Sequence, residues 1–405
     1  MADTGMVRND PKSRPNVSVA IWRWPKNRDY SHALAKTIGE SAFGASEMGE
    51  IELAVKDARV GNPERWFRSW NALAERTESM AHNAEQEGDL VSARDAYLRA
   101  STYYRLADQY LYPDDHRRLE MNNPFSRSVA SFERAGKYLN HPMEKVQIAV
   151  DGVSLPAYLF LPRKNGRSPA LIFLNDFDTT KEEQYFAFAK AAIQRGIAAL
   201  CVDAPGQGES LRIRGMKMNL ASETFVPALV SYLQQRPEID SGKIGLVGWG
   251  LGGYMAARAA AHEGRLSFCL AWSALVDLES VFETLSRVLS RESLVNLLFA
   301  MGFADMRESR ERLKGMRLTA NMIERIACPV YILHGREDPF LGVSQAKALF
   351  EMVKAQKDLT VVEPEWGVGG VLHNQVDNLS AAHYAIFPKI IKAFGMGAVR
   401  ERMAA

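Results

Sequence analysis

Residues 244–254 read IGLVGWGLGGY, and this stretch decides the fold of the chain. Its first four residues are apolar and predict a short buried strand. Glycines follow at positions 248, 250, 252 and 253, and the next residues are rich in alanine, which favours a helix. A sharp turn between strand and helix is therefore predicted at Gly250, because glycine lacks Cβ and adopts strained backbone conformations at little steric cost.

The same stretch has the frame of a nucleophile elbow, G-x-S-x-G, which holds a catalytic serine on a strand-to-helix turn. Gly248 and Gly252 occupy the outer positions of this frame, and Gly250 stands where the serine would be. We therefore expect the elbow to fold without its attacking oxygen. A plain glycine-rich turn or a phosphate loop is less favoured, because the spacing is not the G-x-G-x-x-G of dinucleotide-binding proteins.

The composition and charge of the chain are those of a globular protein and argue against nucleic-acid binding. The chain has 405 residues, 47% of them apolar and 24% charged, which is typical of a globular protein with two or three domains or one elaborated domain. The formal net charge is only +2, and the basic residues are scattered. Nucleic acid is therefore not an expected partner.

The cysteines and the termini indicate the compartment. Cys201, Cys269 and Cys328 all lie in apolar, strand-like runs, so we expect buried thiols in a reducing environment and neither disulfides nor a metal site. The first ten residues are polar, and no run approaches the roughly 18 apolar residues of a membrane span. The expectation is a soluble cytoplasmic protein that needs no cofactor and no membrane.

Periodicity divides the chain into a helical part and a strand-rich part. Up to about residue 140, apolar and aromatic residues recur at helical spacing, and a helix is predicted to begin at Asn62-Pro63-Glu64. From about residue 144, short apolar strands alternate with amphipathic helices. This alternation predicts an α/β fold with a mostly parallel sheet and helices on both faces. Strands are predicted at 146–150, 157–161, 170–174, 198–203, 244–247, 268–272, 330–334 and 359–362.

The predicted domains are residues 1–140, a helical domain, and residues 141–405, the α/β core. Residues 276–325 within the core have a helical pattern with regularly spaced leucines, and this segment is too long for a simple connection. We expect it to form a helical lid above the strand ends.

Two further segments complete a catalytic constellation. Asp338 follows a predicted strand directly, and His373 lies in a loop after the last strand. The chain order of elbow, aspartate and histidine is that of the α/β-hydrolase triad. In such a triad the carboxylate orients the histidine, which faces the nucleophile position.

These residues, the turn APGQGES at 204–210, the aromatic helical hairpin at 66–104 and the segment HNQVDN at 373–378 resemble one group of α/β-hydrolases. The group comprises bacterial and fungal enzymes with an N-terminal helical domain: the 2,6-dihydroxypseudooxynicotine hydrolase group and the fungal polyketide-shortening hydrolases. The resemblance implies hydrolysis of esters, or of carbon–carbon bonds next to ketones, in an aromatic small molecule bound between helical domain and core. It also implies a possible homodimer.

The resemblance assigns roles to particular residues. Asp338 is the orienting acid, His373 is the general base, and the backbone N–H groups of Phe177 and Leu251 form an oxyanion hole. The segment NDFDTTKE at 175–182 departs from the group, which more often has glycines before Thr-Lys-Glu. Substrate binding is assigned to Asp176, Trp249, Trp66 and Trp70.

Three explanations of Gly250 stay open at this point. The protein could be an inactivated form of a hydrolase acting on a ketone- or ester-bearing aromatic or polyketide-like molecule. It could instead be a lyase, cyclase or isomerase of secondary metabolism, in which His373 acts as base beside the oxyanion hole. A pseudo-hydrolase that only binds a ligand is the third, although such a protein has no chemical need for Asp338 and His373.

Overall fold

The expected α/β sheet is confirmed in the computed structural model, which describes residue 24 and residues 27–58, 60–163 and 166–397. Among these residues the strands form one eight-stranded sheet in the order β1-β2-β4-β3-β5-β6-β7-β8. The strands are β1 Met143–Val150, β2 Val153–Phe160, β3 Ser168–Leu174, β4 Ala198–Val202, β5 Ile239–Trp249, β6 Phe268–Trp272, β7 Val330–Gly335 and β8 Lys357–Val362.

In the described sheet β2 alone runs antiparallel to the other seven strands. β1 and β2 form the predicted antiparallel hairpin, and β2 is also antiparallel to β4. Asp151 and Gly152 connect the hairpin with φ of 42° and 83°, as a two-residue hairpin turn requires. From β4 to β8 all neighbours are parallel, so their carboxyl ends meet at one edge of the sheet.

Five strands, β1, β2, β3, β5 and β8, begin earlier than the sequence predicted, and the last two are the most instructive. β5 begins at Ile239 and not at residue 244, and β8 begins at Lys357 and not at residue 359. Both extensions contain polar residues that interrupt the apolar pattern. In β5 the added residues pair with β3 through Ser168 and Ile239, where the register shifts before Ala170. Pairing with a neighbouring strand therefore extends β5 and β8. The apolar pattern of the sequence alone could not have predicted these extensions.

In the described part of the chain before β1, the regular secondary structure consists of helices only. Asn62 caps one helix by accepting a hydrogen bond from the Arg65 N–H at 2.9 Å, and Pro63 is its first residue, as predicted. These helices are Arg28–Gly39, Met48–Asp57, Pro63–Gln86, Leu90–Gln109, His116–Leu119 and Pro124–Gly136. They pack on the core near β2, where Phe132 stacks on Tyr158 with ring centroids 5.4 Å apart.

The remaining helices cover the sheet and its carboxyl edge. Those of the core are Lys181–Gln184, a π-helical turn Tyr185–Ala189, Lys190–Ile193, Gly208–Arg212, Val226–Gln234, Leu251–Ala260, Val343–Met352 and Leu379–Ala393. Between β6 and β7, in the predicted lid, lie Leu278–Val288, Arg291–Met301, Met306–Leu313 and Ala320–Ile323. None of the helices in the described ranges has both the length and the apolar character of a membrane span.

The three cysteines are free thiols. Cys201 and Cys269 are fully buried in strands, as expected, whereas Cys328 is only partly buried. Cys328 precedes β7 and lies at the margin of the sheet, where neighbouring strands no longer cover it.

Candidate active site

The nucleophile elbow forms without a nucleophile. β5 ends at Trp249, the helix Leu251–Ala260 begins two residues later, and Gly250 joins them with φ 58° and ψ −118°. A Cβ on Gly252 would overlap Leu174 O and lie 2.7 Å from Asn175 O. A side chain there would therefore separate the elbow helix from the end of β3.

Asp176 fills the space beside Gly250 in which the serine of a nucleophile elbow would lie. In the parallel pair of β3 and β5, Leu174 lies opposite Gly248, so the chain brings Asp176 beside Gly250 two residues later. A Cβ built on Gly250 would overlap Oδ2 of Asp176 and lie only 2.7 Å from its Oδ1. A carboxylate thus occupies the volume where a serine side chain would lie.

The two backbone groups expected to form an oxyanion hole point at one atom. The N–H groups of Phe177 and Leu251 donate to Oδ1 of Asp176 at 2.9 and 3.0 Å. Their convergence matches the geometry that stabilises an oxyanion in acyl transfer. The acceptor here is the protein's own carboxylate oxygen.

His373 lies between two carboxylates. Its Nδ1 is 2.6 Å from Oδ2 of Asp338, and its Nε2 is 3.0 Å from Oδ2 of Asp176. The other oxygen of Asp338 accepts the backbone N–H groups of Phe340 and Leu341 at 2.9 and 2.8 Å, which fixes that carboxylate. Because carboxylates can only accept, this arrangement favours an imidazolium that donates from both nitrogens.

The electrostatics agree with that protonation state. Burial alone would lower the pKa of His373, but the charges and hydrogen bonds of Asp338 and Asp176 outweigh it and raise this pKa to about 10. Burial raises the pKa of both aspartates, yet His373 outweighs this and holds each pKa below its ordinary value. At neutral pH the three groups therefore carry a net charge of −1. The general-base role expected for His373 does not fit a protonated imidazole.

Asn374 is a site residue that the sequence reasoning missed. Its Nδ2 donates to Oδ2 of Asp176 at 3.2 Å, and its backbone N–H donates to Oγ of Ser273 at 3.0 Å. Asn374 has φ 56°, a left-handed conformation that asparagine tolerates better than most residues. An asparagine directly after the predicted histidine was the only signal that could have indicated it.

A cavity with about 940 Å³ of empty space, part of it open to solvent, reaches this cluster. Helices from the N-terminal part, the ends of the core strands and the lid all contribute to its wall. Several predicted lid residues line it, including Leu285, Leu289 and Leu297. The predicted site residues that line it are Asp176, Phe177, Trp249, Leu251 and His373.

Trp66 and Trp70 do not line the cavity, and their assignment to substrate binding is corrected by their position. Both are fully buried in the core of the helical part. Trp66 packs edge-on against Tyr30 and donates its indole N–H to Leu106 O at 2.7 Å, while Trp70 packs against Tyr103. The aromatic stripe therefore joins helices to each other.

His32, on the first described helix, is a second missed residue of the cavity wall. Its ring centroid is 5.6 Å from that of His373, and its ring packs edge-on against Phe340. Burial lowers the pKa of His32 to about 3, and the nearby His373 acts in the same direction. His32 is therefore neutral, which limits repulsion with the imidazolium of His373.

Comparisons with known proteins identify the family of this chain. Residues 22–362 match the family described as Esterase FrsA-like. The chain belongs to the FrsA-like family of α/β-hydrolase-fold enzymes. The solved 2,6-dihydroxy-pseudo-oxynicotine hydrolase superposes with a TM-score of 0.72 at 26% identity, over 88% of this chain and 93% of that one.

Curated relatives are similar to this chain over different shares of their own length. The 2,6-dihydropseudooxynicotine hydrolase of Paenarthrobacter nicotinovorans is 31% identical over 74% of this chain and 78% of its own length. The α/β hydrolase xenA of Xenoacremonium sinensis is 34% identical over 60% of this chain. This chain spans only 54% to 58% of the length of xenA and of three similar fungal α/β hydrolases.

Proposed function

We propose that the protein converts a ketone- or ester-bearing, aromatic or polyketide-like small molecule by proton transfer, with Asp176 and His373 as the acid–base pair. The reaction class is that of a lyase, cyclase or isomerase, and no serine acyl-enzyme forms. One observation carries the proposal: the carboxylate of Asp176 stands where the serine oxygen would be, with one oxygen on the Phe177 and Leu251 N–H groups.

The cavity supports the substrate class. Its wall is largely apolar, and it reaches the polar cluster of Asp176 and His373. This combination is typical of sites for small organic molecules. The match to a relative named 2,6-dihydropseudooxynicotine hydrolase also favours a small organic substrate.

The charge state of the cluster supports proton transfer. Asp338 and Asp176 are ionised at neutral pH beside a protonated His373, so a carboxylate is available to accept a proton. We assign the proton to Oδ2 of Asp176, whose hydrogen-bond donors are the side chains of His373 and Asn374, whereas Oδ1 is held by two backbone N–H groups. Nε2 of His373 is 3.0 Å from Oδ2 and can pass its proton back to that oxygen. A positioned acid–base pair contributes about 10²–10⁴-fold to a rate.

Hydrolysis is the second candidate, and the names of the relatives favour it. Asp176 would then take a proton from water. The oxyanion of a tetrahedral intermediate could use the Phe177 and Leu251 donors only after Asp176 had left them. That rearrangement breaks two charge-assisted hydrogen bonds, so the proton-transfer reaction is preferred here.

A binding-only role has less support, because the cavity reaches His373 and its partners. A cytoplasmic location and a homodimer stay predictions from composition and resemblance.

The test uses two probes on the same protein. Deuterium exchange at the α-carbon of propiophenone in D₂O reports proton transfer, and release of p-nitrophenol from p-nitrophenyl butyrate reports hydrolysis. We expect the wild type to exceed Asp176→Asn in exchange by about 10²–10⁴-fold and to leave the ester intact. Asp240→Asn, at the partly exposed start of β5, serves as the matched control.

The opposite pattern would favour the second candidate. Ester release by the wild type, with ¹⁸O from labelled water in the butyrate and exchange equal to that of Asp176→Asn, would establish hydrolysis and contradict the proposal.

A further inference from the structure

A second cavity adjoins the first and differs from it chemically. It has about 620 Å³ of empty space, part of it open to solvent. Phe177, Asp178 and Thr179 line both cavities, as do Gln109 and Ser293. The second cavity is lined by two arginines, Arg105 and Arg212, whereas the first has mainly apolar walls.

Arg105 has unused hydrogen-bonding capacity. Only 6% of its surface is exposed, and its Nε lies 3.2 Å from Oε1 of Glu183. Its Nη2 is buried without a hydrogen-bond partner. A buried guanidinium N–H without an acceptor is costly, so a ligand that supplies an acceptor there gains the energy of that hydrogen bond.

Positive charge also exceeds negative charge on the other side of this cavity. Asp108 is the shared partner of two arginines, with Nε of Arg118 at 2.8 Å and Nε of Arg212 at 3.1 Å. These three side chains therefore carry a net charge of +1. Burial lowers the pKa of Arg212 to about 10, and the neighbouring Arg118 acts in the same direction, so Arg212 stays charged at neutral pH.

Asp178 lines the same cavity, and its carboxyl group is the negative charge that a bound anion would face there. Burial raises the pKa of Asp178 to about 6 even though Lys36 lowers it. Because that pKa is close to neutral pH, a bound anion favours the protonated form of Asp178, which can donate to an anionic oxygen. Gln109, on the wall common to both cavities, has a buried side-chain oxygen without a partner and offers a polar contact at the junction.

We propose that the second cavity binds a planar, two-oxygen anion of the substrate, a carboxylate or the enolate of a 1,3-dicarbonyl, through Arg105 and Arg212. Guanidinium groups match such anions because two N–H groups can face two oxygens. The apolar body of the substrate then fills the first cavity. Phe177 lines both cavities and follows Asp176 directly, so the bond that reacts lies beside the junction. This assignment rests on the proposed function for the position of the reacting carbon.

The experiment measures binding and needs no turnover. Calorimetric titration compares 6-phenylhexanoate with 6-phenylhexanamide, which has the same shape and no charge. We expect the wild type to bind the carboxylate roughly 10-fold more tightly or better, as a hydrogen bond between charged groups implies. Arg212→Gln removes most of this preference and leaves the affinity for the amide unchanged, and Asp108 keeps Arg118 as its partner in that variant.

Two further variants make the result interpretable. Arg105→Lys keeps the charge beside Glu183 but loses the planar fork, so it reduces the preference without exposing a buried carboxylate. Arg127→Gln, which loses contacts with Glu75, Glu78 and the ring of Tyr104 within the helical part, keeps the wild-type preference. Equal affinity of the wild type for both probes, or a preference that survives Arg212→Gln and Arg105→Lys, would overturn the assignment.

This outcome is separable from that of the proposed function. A carboxylate preference lost with the arginines, together with exchange unaffected by Asp176→Asn, refutes only the proton-transfer chemistry. Exchange lost in Asp176→Asn, with no carboxylate preference, refutes only the anion subsite.

Discussion

Asp176 and Gly250 depend on each other sterically. The carboxylate lies where the first side-chain atom of any other residue at position 250 would be, and four donors hold it there. Glycine at 250 is therefore required by the position of Asp176, and it also adopts the φ of 58° with less strain than a residue with a side chain. Gly250 and Asp176, which lies in the loop after β3, form one steric unit.

The first prediction concerns restoration of a serine nucleophile. Gly250→Ser alone forces Ser Cβ into the Asp176 carboxylate, so we expect a loss of roughly 1–3 kcal/mol in the free energy of unfolding, as for an overpacked core, and no labelling by a fluorophosphonate. The double variant Gly250→Ser/Asp176→Gly clears that space and frees the Phe177 and Leu251 donors. We expect it to be labelled, as mass spectrometry can show.

Labelling of the double variant should disappear when His373→Ala is added, because the serine then lacks its base. Equal labelling of the single and double variants would contradict the steric dependence of position 250 on Asp176.

The second prediction concerns the charge of His373. Its pKa of about 10 exceeds the roughly 6.5 of an unfolded histidine, so it contributes stability that is fully present below about pH 6.5 and is lost as the pH rises through 10. Asp176→Asn removes one of the two carboxylates, and we expect the pKa of His373 to fall by about one unit or more. ¹H–¹⁵N NMR titration of the imidazole checks this.

Urea unfolding at several pH values gives an independent check. In both proteins the stability should fall above about pH 6.5, but in the Asp176→Asn variant the decline should be smaller and end at a lower pH than in the wild type. An unchanged titration of His373 would show that Asp176 does not stabilise the imidazolium.

At the scale of elements, parallel strand pairing positions the site. The register that places Leu174 opposite Gly248 brings the loop after β3 to the elbow after β5. β7 and the loop after β8 bring Asp338 and His373 to the same edge. The lid helices then close the apolar side of the cavity.

The third prediction tests whether the first lid helix is stabilised locally and opens separately from the core. Asp277 caps the helix Leu278–Val288 by accepting the Ser280 N–H at 3.0 Å. Asp277→Ala removes this cap and should cost about 1 kcal/mol locally. We expect faster hydrogen exchange in the first turn of that helix and no change in the elbow helix Leu251–Ala260. Uniform acceleration in both helices would show that the lid does not open separately.

At the scale of the whole molecule, buried charges join the helical part to the core. Glu183 of the core pairs with Lys36 and with Arg105, which come from two N-terminal helices. Glu40 is fully buried beside them, and neither of its carboxylate oxygens has a hydrogen-bond partner. Burial raises the pKa of Glu40 to about 7, although Lys36 lowers it.

The fourth prediction follows from that carboxyl group. Its folded pKa of about 7 lies above the ordinary value of 4.5, so its contribution to stability is present below pH 4.5 and is lost as the pH rises to 7. Glu40→Gln cannot ionise, so we expect it to gain on the order of 2–3 kcal/mol relative to the wild type between pH 5 and pH 8. Denaturant unfolding at both pH values measures the difference.

Glu52→Gln, on the exposed face of a nearby helix, is the control and should show no such pH-dependent gain. A constant difference between Glu40→Gln and the wild type across this range would mean that the pKa of Glu40 is not raised in the folded protein.

The sequence predicted those features that depend on only a few neighbouring residues. The elbow turn at Gly250 needs only a strand, glycines and a helix in succession, and the structure has it. Asp338 and His373 were found because triad members follow strand ends in a fixed order, and they lie 2.6 Å apart. The assignment of Trp66 and Trp70 to the cavity failed, because an aromatic stripe looks the same whether it faces a ligand or another helix.

The sequence by itself determined the α/β sheet, the elbow without a nucleophile and the residues that meet at the carboxyl edge, because strand patterns and turn residues are encoded locally. Only the tertiary structure decided what replaces the serine. Asp176 belongs to another strand end and reaches Gly250 through the register of β3 against β5. The protonation of His373 was decided in the same way, since it depends on the distances to two carboxylates that come from separate segments of the chain.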